Sequence, residues 1–159
     1  MKLNYIIFPL IAFSVGTFGS RWTSGGMEWY KRLNLPAIAP PGWVIGIIWT
    51  VIYILTTASA IILWNLTSDK WAQWQGRYWL IWILFAANAF LNACWSWLFF
   101  AKNLIGWAIL EMIILEATVI ALIFLSRKFS KIASNLLIPY AVWVAFATYL
   151  AIQTYLLNR

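Results

Sequence analysis

The chain has no histidine, one cysteine and only four acidic residues among its 159. The missing histidine removes the commonest metal ligand and the usual axial ligand of haem iron. Four acids are too few for a dedicated carboxylate cage, so we assign no metal site and expect no required cofactor. Cys94 stands alone within an apolar stretch, so no intrachain disulfide can form and the redox compartment cannot be read from it. No Ser-His-Asp, Cys-His or phosphate-loop arrangement is present, which leaves acid–base and nucleophilic catalysis without a framework. Charged residues make up 9% of the chain, against ~25% in a soluble domain.

What fills the chain instead is apolar sequence, 64% of the residues. Five stretches carry it, at 3–20, 41–66, 78–100, 104–125 and 132–157, and four of the five hold no charge. A helix needs ~20 apolar residues to cross the ~30 Å hydrocarbon core. The stretches are too long and unbroken for the alternating strands of a membrane barrel. In lipid each backbone amide must be paired within its own segment. The expectation is an all-α membrane protein, a single domain over 1–159 made of a five-transmembrane-helix bundle. Met1-Lys2, the apolar run and the small residues Ser14 and Gly16 resemble a signal peptide. The run reaches Phe18, however, beyond the usual 7–15-residue apolar region, so a retained first helix is expected.

The net charge of +7 comes from eleven Lys and Arg that sit at helix ends and in loops, where they can meet anionic lipid head groups. They form no patch for nucleic acid. Five spans would put Lys2, Lys70, Arg77, Arg127, Lys128 and Lys131 on one side and Arg21, Lys31, Arg32, Lys102 and Arg159 on the other. Six against five does not fix the orientation by the positive-inside rule.

The one long connection, 21–40, carries Trp22 and Gly25-Gly26, then Met27, Trp29, Tyr30 and Leu33, and ends in Pro36, Pro40 and Pro41. Disordered segments are poor in aromatics, so an ordered lid over one end of the bundle is expected, with Trp29 and Tyr30 directed inward. The other links, including 67–77 with Trp71 and Trp74, are short and should make sequential helices antiparallel neighbours. Gly42, Gly46 and Thr50 form a small-residue ladder suited to close helix approach, as do Ala86, Ala87, Ala89 and Ala93. Pro139, about two turns into the fifth span, should remove a backbone hydrogen bond and kink it.

Thirteen tryptophans are the most distinctive positive feature. Trp22, Trp29, Trp43, Trp71, Trp74, Trp79 and Trp107 fall near span ends, as an interfacial belt requires. Trp49, Trp95 and Trp143 lie deeper and want either a partner for the indole N–H or a cavity to line. Asn88, Asn92 and Trp95 recur at i, i+4 and i+7 on one face of the third span. Carboxamides at that depth normally face the bundle interior, as interhelical hydrogen bonds or as the polar handle of a pocket. Trp49 and Tyr53 share a face of the second span, and Trp143, Ala147 and Leu150 share one on the fifth. Aromatic walls with a few polar groups suit a flat apolar ligand. Glu111 and Glu116 are the only charges inside a span, about 140° apart around the helix, and no acid–base couple arises. Snorkelling or local pairing is expected of Glu111.

The stretch Pro40-Pro41-Gly42-Trp43-Val44-Ile45-Gly46-Ile47-Ile48-Trp49-Thr50-Val51-Ile52-Tyr53 resembles the second-helix signature of the translocator protein family. That family is also called tryptophan-rich sensory protein, or the peripheral benzodiazepine receptor. The likeness continues at Trp29-Tyr30, Leu33 and Pro36, at Leu91-Asn92-Ala93-Cys94-Trp95-Ser96 and Phe99-Phe100, and at Gly106-Trp107-Ala108 with Glu111. It resumes at Leu137-Ile138-Pro139-Tyr140, Trp143, Ala145-Phe146 and Tyr149-Leu150. The resemblance implies a five-helix, commonly dimeric protein that binds porphyrins such as protoporphyrin IX and haem, and also sterols and isoquinoline-type drugs. The family pocket opens beneath the first loop, and its lining carries over to Tyr30, Trp49, Asn88, Asn92 and Trp143, with Ala147 close by. Ala151 and Ile47 depart from the family pattern, which often has asparagine and proline there. A sterol motif fits loosely as Leu150, Tyr155 and Arg159.

These readings converge on porphyrin binding by Tyr30, Trp49, Tyr53, Asn88, Asn92, Trp95, Trp143 and Ala147, in a multi-pass protein of a bacterial or archaeal cell membrane with a sensory, regulatory or transport role. The expected partners are the lipid bilayer, a tetrapyrrole, a sterol-like lipid and a second copy of the chain. A light-dependent porphyrin-degrading enzyme, with Trp49 and Trp143 as its oxidisable indoles, is the alternative. A small-molecule transporter or membrane assembly partner is the third class.

Overall fold

The computed structural model describes residues 3–67 and 77–159. Its elements are α1 (Asn4–Tyr30), α2 (Gly42–Thr67), α3 (Arg77–Ser96), α4 (Ile105–Arg127), the short α5 (Lys131–Asn135) and α6 (Ile138–Leu157). One π-helical turn, Trp97–Ala101, extends α3. The described residues contain no strand. Four segments, Gly42–Thr67, Trp79–Ala101, Ile105–Arg127 and Lys131–Leu157, are long and apolar enough to cross a membrane. Helix α1, at 27 residues, has spanning length but is less apolar. Lys2, Lys70, Trp71 and Trp74 lie outside the described residues.

The first half of the expected lid segment 21–40 is helix. α1 runs on through Gly25-Gly26 to Tyr30, and the connection to α2 is residues 31–41. The glycines were placed in the connection, but Gly26 serves helix packing. A Cβ there would overlap the Phe100 carbonyl oxygen on the π-helical turn, whereas Gly25 has open space.

The fifth span is also divided. Ser130 caps α5 by accepting from the Ala133 amide at 3.2 Å, the chain turns at Leu136 and Leu137, and α6 then begins. Pro139 falls in the first turn of α6 and kinks nothing. Its missing N–H belongs to a position that has no intrahelical partner anyway. At the other end of the bundle, Asn103 ends the α3 extension with φ 57°, the left-handed conformation usual just past a helix C-terminus.

Around the bundle, α1 packs on α2 and on α3, α3 on α4, and α4 on α6, while α5 closes against α2 and α4. Thus α2 and α3, though consecutive, are not close neighbours as their short link led us to expect. α1 sits between them, and a ring of five long helices encloses a central space. The Gly42–Gly46 ladder meets no other helix of the chain, since nothing lies within 4 Å of a Cβ at either glycine. Close approach occurs at α1 instead, with Gly16 against the Tyr53 ring and Gly19 against Ser96.

Candidate functional site

A chain of hydrogen bonds crosses the central space and joins four helices. The Tyr53 hydroxyl donates to Asn92 Oδ1 at 2.9 Å. Asn92 Nδ2 donates to the Tyr140 hydroxyl at 2.8 Å, and that hydroxyl donates to Asn88 Oδ1 at 3.1 Å. Asn88 Nδ2 donates to Thr118 Oγ1 at 3.1 Å, and Thr118 donates to the Leu115 carbonyl at 2.7 Å. The i, i+4 spacing of Asn88 and Asn92 makes this geometry available, because both amides leave α3 on one face. Polar groups at this depth are costly without partners, so the relay fixes how α2, α3, α4 and α6 face one another. Tyr140 and Thr118 were not among the sequence-derived site residues. A tyrosine and a threonine on apolar helices carry no signal until their neighbours are known.

Against one side of the relay lies a partly open cavity of about 180 Å³. α1 contributes Phe8, Ile11, Ala12 and Val15 to its wall, α2 contributes Tyr53, Thr56, Thr57 and Ala60, and α3 contributes Trp82, Phe85, Ala86 and Ala89. Asn88, Asn92 and Tyr140 form its polar edge. None of these lining residues is charged. Phe8 stacks on Trp82 at 5.4 Å with rings nearly parallel, and Trp82 stacks on Phe85 at 5.6 Å. Trp64 backs both Phe8 and Trp82 edge-on. Sequence reasoning missed this group, since Trp64 and Trp82 sit at positions that a belt or a core explains equally well.

The predicted ligand residues divide into three places. Tyr53, Asn88 and Asn92 meet at the cavity and relay. Trp49, Trp143 and Ala147 lie on the side of the relay nearer the 31–41 loop. Trp49 faces the Tyr53 ring at 5.6 Å and the Tyr140 ring edge-on at 6.0 Å. It packs, with Ala147, against a core that includes Trp143, Tyr140, Ile52 and Val144. Tyr30 and Trp95 belong to a separate cluster at the loop end, formed with Trp29, Phe99 and Phe100. There Trp95 stacks on Phe99 at 5.4 Å and Tyr30 leans on Phe100 at 5.6 Å. Burial pushes the Tyr30 phenol above its ordinary value, so it stays uncharged.

Among the loop prolines, Pro36 accepts from the Ala39 amide at 2.9 Å in a turn, and Pro41 accepts from Val44 at 2.9 Å at the start of α2. Pro40 lies half-buried between them. The loop is tied to the end of α6, where Asn158 accepts from the Asn34 amide and donates to the Asn34 carbonyl, both at 3.0 Å. In the sterol motif, the Arg159 guanidinium covers the exposed Tyr155 ring at 4.6 Å, and Leu150 is half-buried. Glu111 neither snorkels nor pairs. It is buried, and neither carboxyl oxygen has a hydrogen-bond partner. The reason is angular: Glu111 shares the inward face of α4 with Ala108, Met112 and Leu115. The indole N–H groups of Trp95 and Trp143 are likewise buried without partners, and neither residue lines the cavity.

Apolar helices of spanning length around a buried carboxamide relay define a multi-pass membrane protein with an internal, uncharged, aromatic-walled site. Residues 7–156 match the TspO/MBR family, and the chain belongs to it. It is 35% identical over 158 residues to the Tryptophan-rich protein TspO of Bacillus cereus, covering 99% of each chain. The archaeal Tryptophan-rich protein TspO of Archaeoglobus fulgidus is 32% identical over 160 residues, covering 98% of this chain and 97% of its own. The human Translocator protein is 30% identical over 143 residues, covering 87% of this chain and 80% of its own.

Proposed function

We propose that this protein binds tetrapyrroles such as protoporphyrin IX on the loop side of the relay and serves a sensory, regulatory or transport role. The observation that carries the reading is the aromatic wall of Trp49, Tyr53, Tyr140 and Trp143 set against the Asn88–Asn92 carboxamides, with Trp49 in ring contact with both tyrosines. Such a wall favours a flat apolar ring system by stacking and burial. The exposed cations Arg21, Lys31 and Arg32 lie at the same end of the bundle, where they would meet propionates. With no histidine in the chain, the porphyrin plane rather than an imidazole-ligated iron is the natural handle.

The loop side of the relay is a packed core of Ile52, Tyr140, Trp143 and Val144 with Trp49 and Ala147 against it, so it has to open to admit a ring system as large as a tetrapyrrole. Binding on this reading opens the loop side, with residues 31–41 and the Trp29–Tyr30 end of α1 moving as a lid. Titration of the purified protein with protoporphyrin IX, followed by tryptophan quenching, tests it. Trp49→Ala combined with Trp143→Ala should weaken binding at least about tenfold, the weight of ~1.4 kcal/mol. Unchanged affinity would remove the site.

A further inference from the structure

The lipid-facing surface between α1 and α3 holds an open groove of about 440 Å³, walled by Ile7, Leu10, Phe18, Phe90 and Ala93 among others. Ile11, Val15 and Ala89 line both this groove and the cavity. Three aliphatic side chains, none larger than isoleucine, thus stand between the groove and the cavity. A molecule dissolved in the bilayer has a short path inward here, on the opposite side of the relay from Trp49 and Trp143.

The interior is specific in its chemistry. An engineered apolar cavity of about 150 Å³ holds one benzene, so the 180 Å³ here suits a single substituted ring. Its polar edge offers donors in excess of acceptors. Asn88 and Asn92 each use one N–H of the side-chain amide in the relay, which leaves the other. Two further donors in the wall, the Trp82 indole N–H and the Thr56 hydroxyl, are buried without a partner. No charge lines the space, so an ionised head group would be desolvated without compensation. Neutral carbonyl oxygens on a ring satisfy the donors and avoid that cost.

We propose that this cavity and groove form one lateral site for a membrane-soluble amphiphile of the lipid-quinone class. The quinone ring lies against Trp82 and Phe8, its carbonyls meet the spare donors, and its apolar tail leaves past Ala89 along the α1–α3 groove. This site shares Tyr53, Asn88, Asn92 and Tyr140 with the tetrapyrrole wall but lies on the other face of the relay, where Phe8, Thr56 and Trp82 belong to it alone.

The test uses the full-length protein in detergent and a benzoquinone bearing a ten-carbon chain, with thermal unfolding as the readout, since a ligand that binds only the folded state raises the melting temperature saturably. A saturable rise is expected with the alkyl quinone and none with decanol. Ala89→Phe should weaken the quinone at least about tenfold by blocking the shared wall. Trp82→Phe, which keeps the ring and removes the N–H, should weaken it about three- to tenfold, the weight of one hydrogen bond. Protoporphyrin affinity of Trp82→Phe should match the unsubstituted protein, which separates this site from the other. No saturable rise, an equal rise with decanol, or wild-type quinone affinity in both variants would overturn the proposal. If Ala89→Phe does not fold, Thr56→Val combined with Trp82→Phe decides it, and wild-type affinity there overturns it equally.

Discussion

At the loop end of the bundle, Trp29, Tyr30, Trp95, Phe99 and Phe100 pack ring on ring with Ile105 and Ala108. In the opposite half, Phe8, Trp64, Trp82 and Phe85 make similar ring contacts, yet three of them wall a void. The residue types are the same, so aromatic content does not separate the two ends. Helix α1 does. From Gly16 onward it carries glycines that let it settle against its neighbours, at the Tyr53 ring, at Ser96 and at the Phe100 backbone. Before Gly16 it has none, and Phe8, Ile11 and Val15 stand in the cavity wall between it and α2 and α3. The spacing of glycine along one helix decides which half closes and which stays hollow.

The contrast breaks most visibly by truncating one ring at each end. Phe99→Ala should cost ~3–5 kcal/mol, because the ring is buried among four others and leaves a cavity. Phe8→Ala should cost clearly less, ~1–2 kcal/mol, because its neighbours already face a void and fewer contacts are lost. Unfolding of both variants in detergent, measured side by side, checks the ordering. Equal losses would mean that the void is not a standing feature of the far half.

The adjacent glycines sharpen the same point. Gly26→Ala places a Cβ against the Phe100 carbonyl and should destabilise by ~1–3 kcal/mol through overpacking. Gly25→Ala meets open space and should be neutral or stabilising by up to ~1 kcal/mol, since alanine favours the helix. Melting temperatures that move together would show that α1 does not descend onto the π-helical turn.

Most of the fold was legible because lipid enforces it. A charge-free run of spanning length in a bilayer has one backbone solution, so much of α1, α2, α3 and the bulk of α6 follow from composition, and α4 follows from its length and apolar content despite Glu111 and Glu116. What failed were the local punctuators. Residues 21–30, with Gly25-Gly26, were read as part of a connection and Pro139 as a kink in mid-helix. One glycine is a packing notch and the proline is a helix start. The carboxamide face of α3 was readable from spacing alone, since Asn88 and Asn92 must leave the helix together. Their partners were not, because Tyr140 and Thr118 come from helices whose rotation no single-helix pattern fixes. Trp64 and Trp82 were invisible for the same reason.

The relay separates the two halves, and Tyr140 is its centre. Tyr140→Phe removes the acceptor of Asn92 and the donor to Asn88 in one step. Two carboxamide groups then lose a buried partner, and a cost of ~1–3 kcal/mol follows. The loss should appear in unfolding of the whole protein, because the relay joins four helices. A variant as stable as the parent would mean that the amides find other partners and that the layer is not a structural divide.

The smallest effect concerns the loop that covers the dry end. Asn158 holds Asn34 by both its backbone groups and is itself fixed by donating to the Thr154 carbonyl at 2.7 Å. This clasp lies at the exposed end of α6, where water can replace either bond, so Asn158→Ala should cost at most ~1 kcal/mol globally. Locally the consequence is larger in relative terms. Residues 31–41 lose their tie to α6, and amides there should exchange about three- to fivefold faster, while those of α2, α4 and α6 keep their protection. If the loop acts as the lid over a tetrapyrrole site, the same substitution should also speed ligand entry without changing the aromatic wall. Hydrogen exchange that rises throughout the bundle would instead make Asn158 a global staple, and exchange unchanged in residues 31–41 would show that the prolines alone hold the loop.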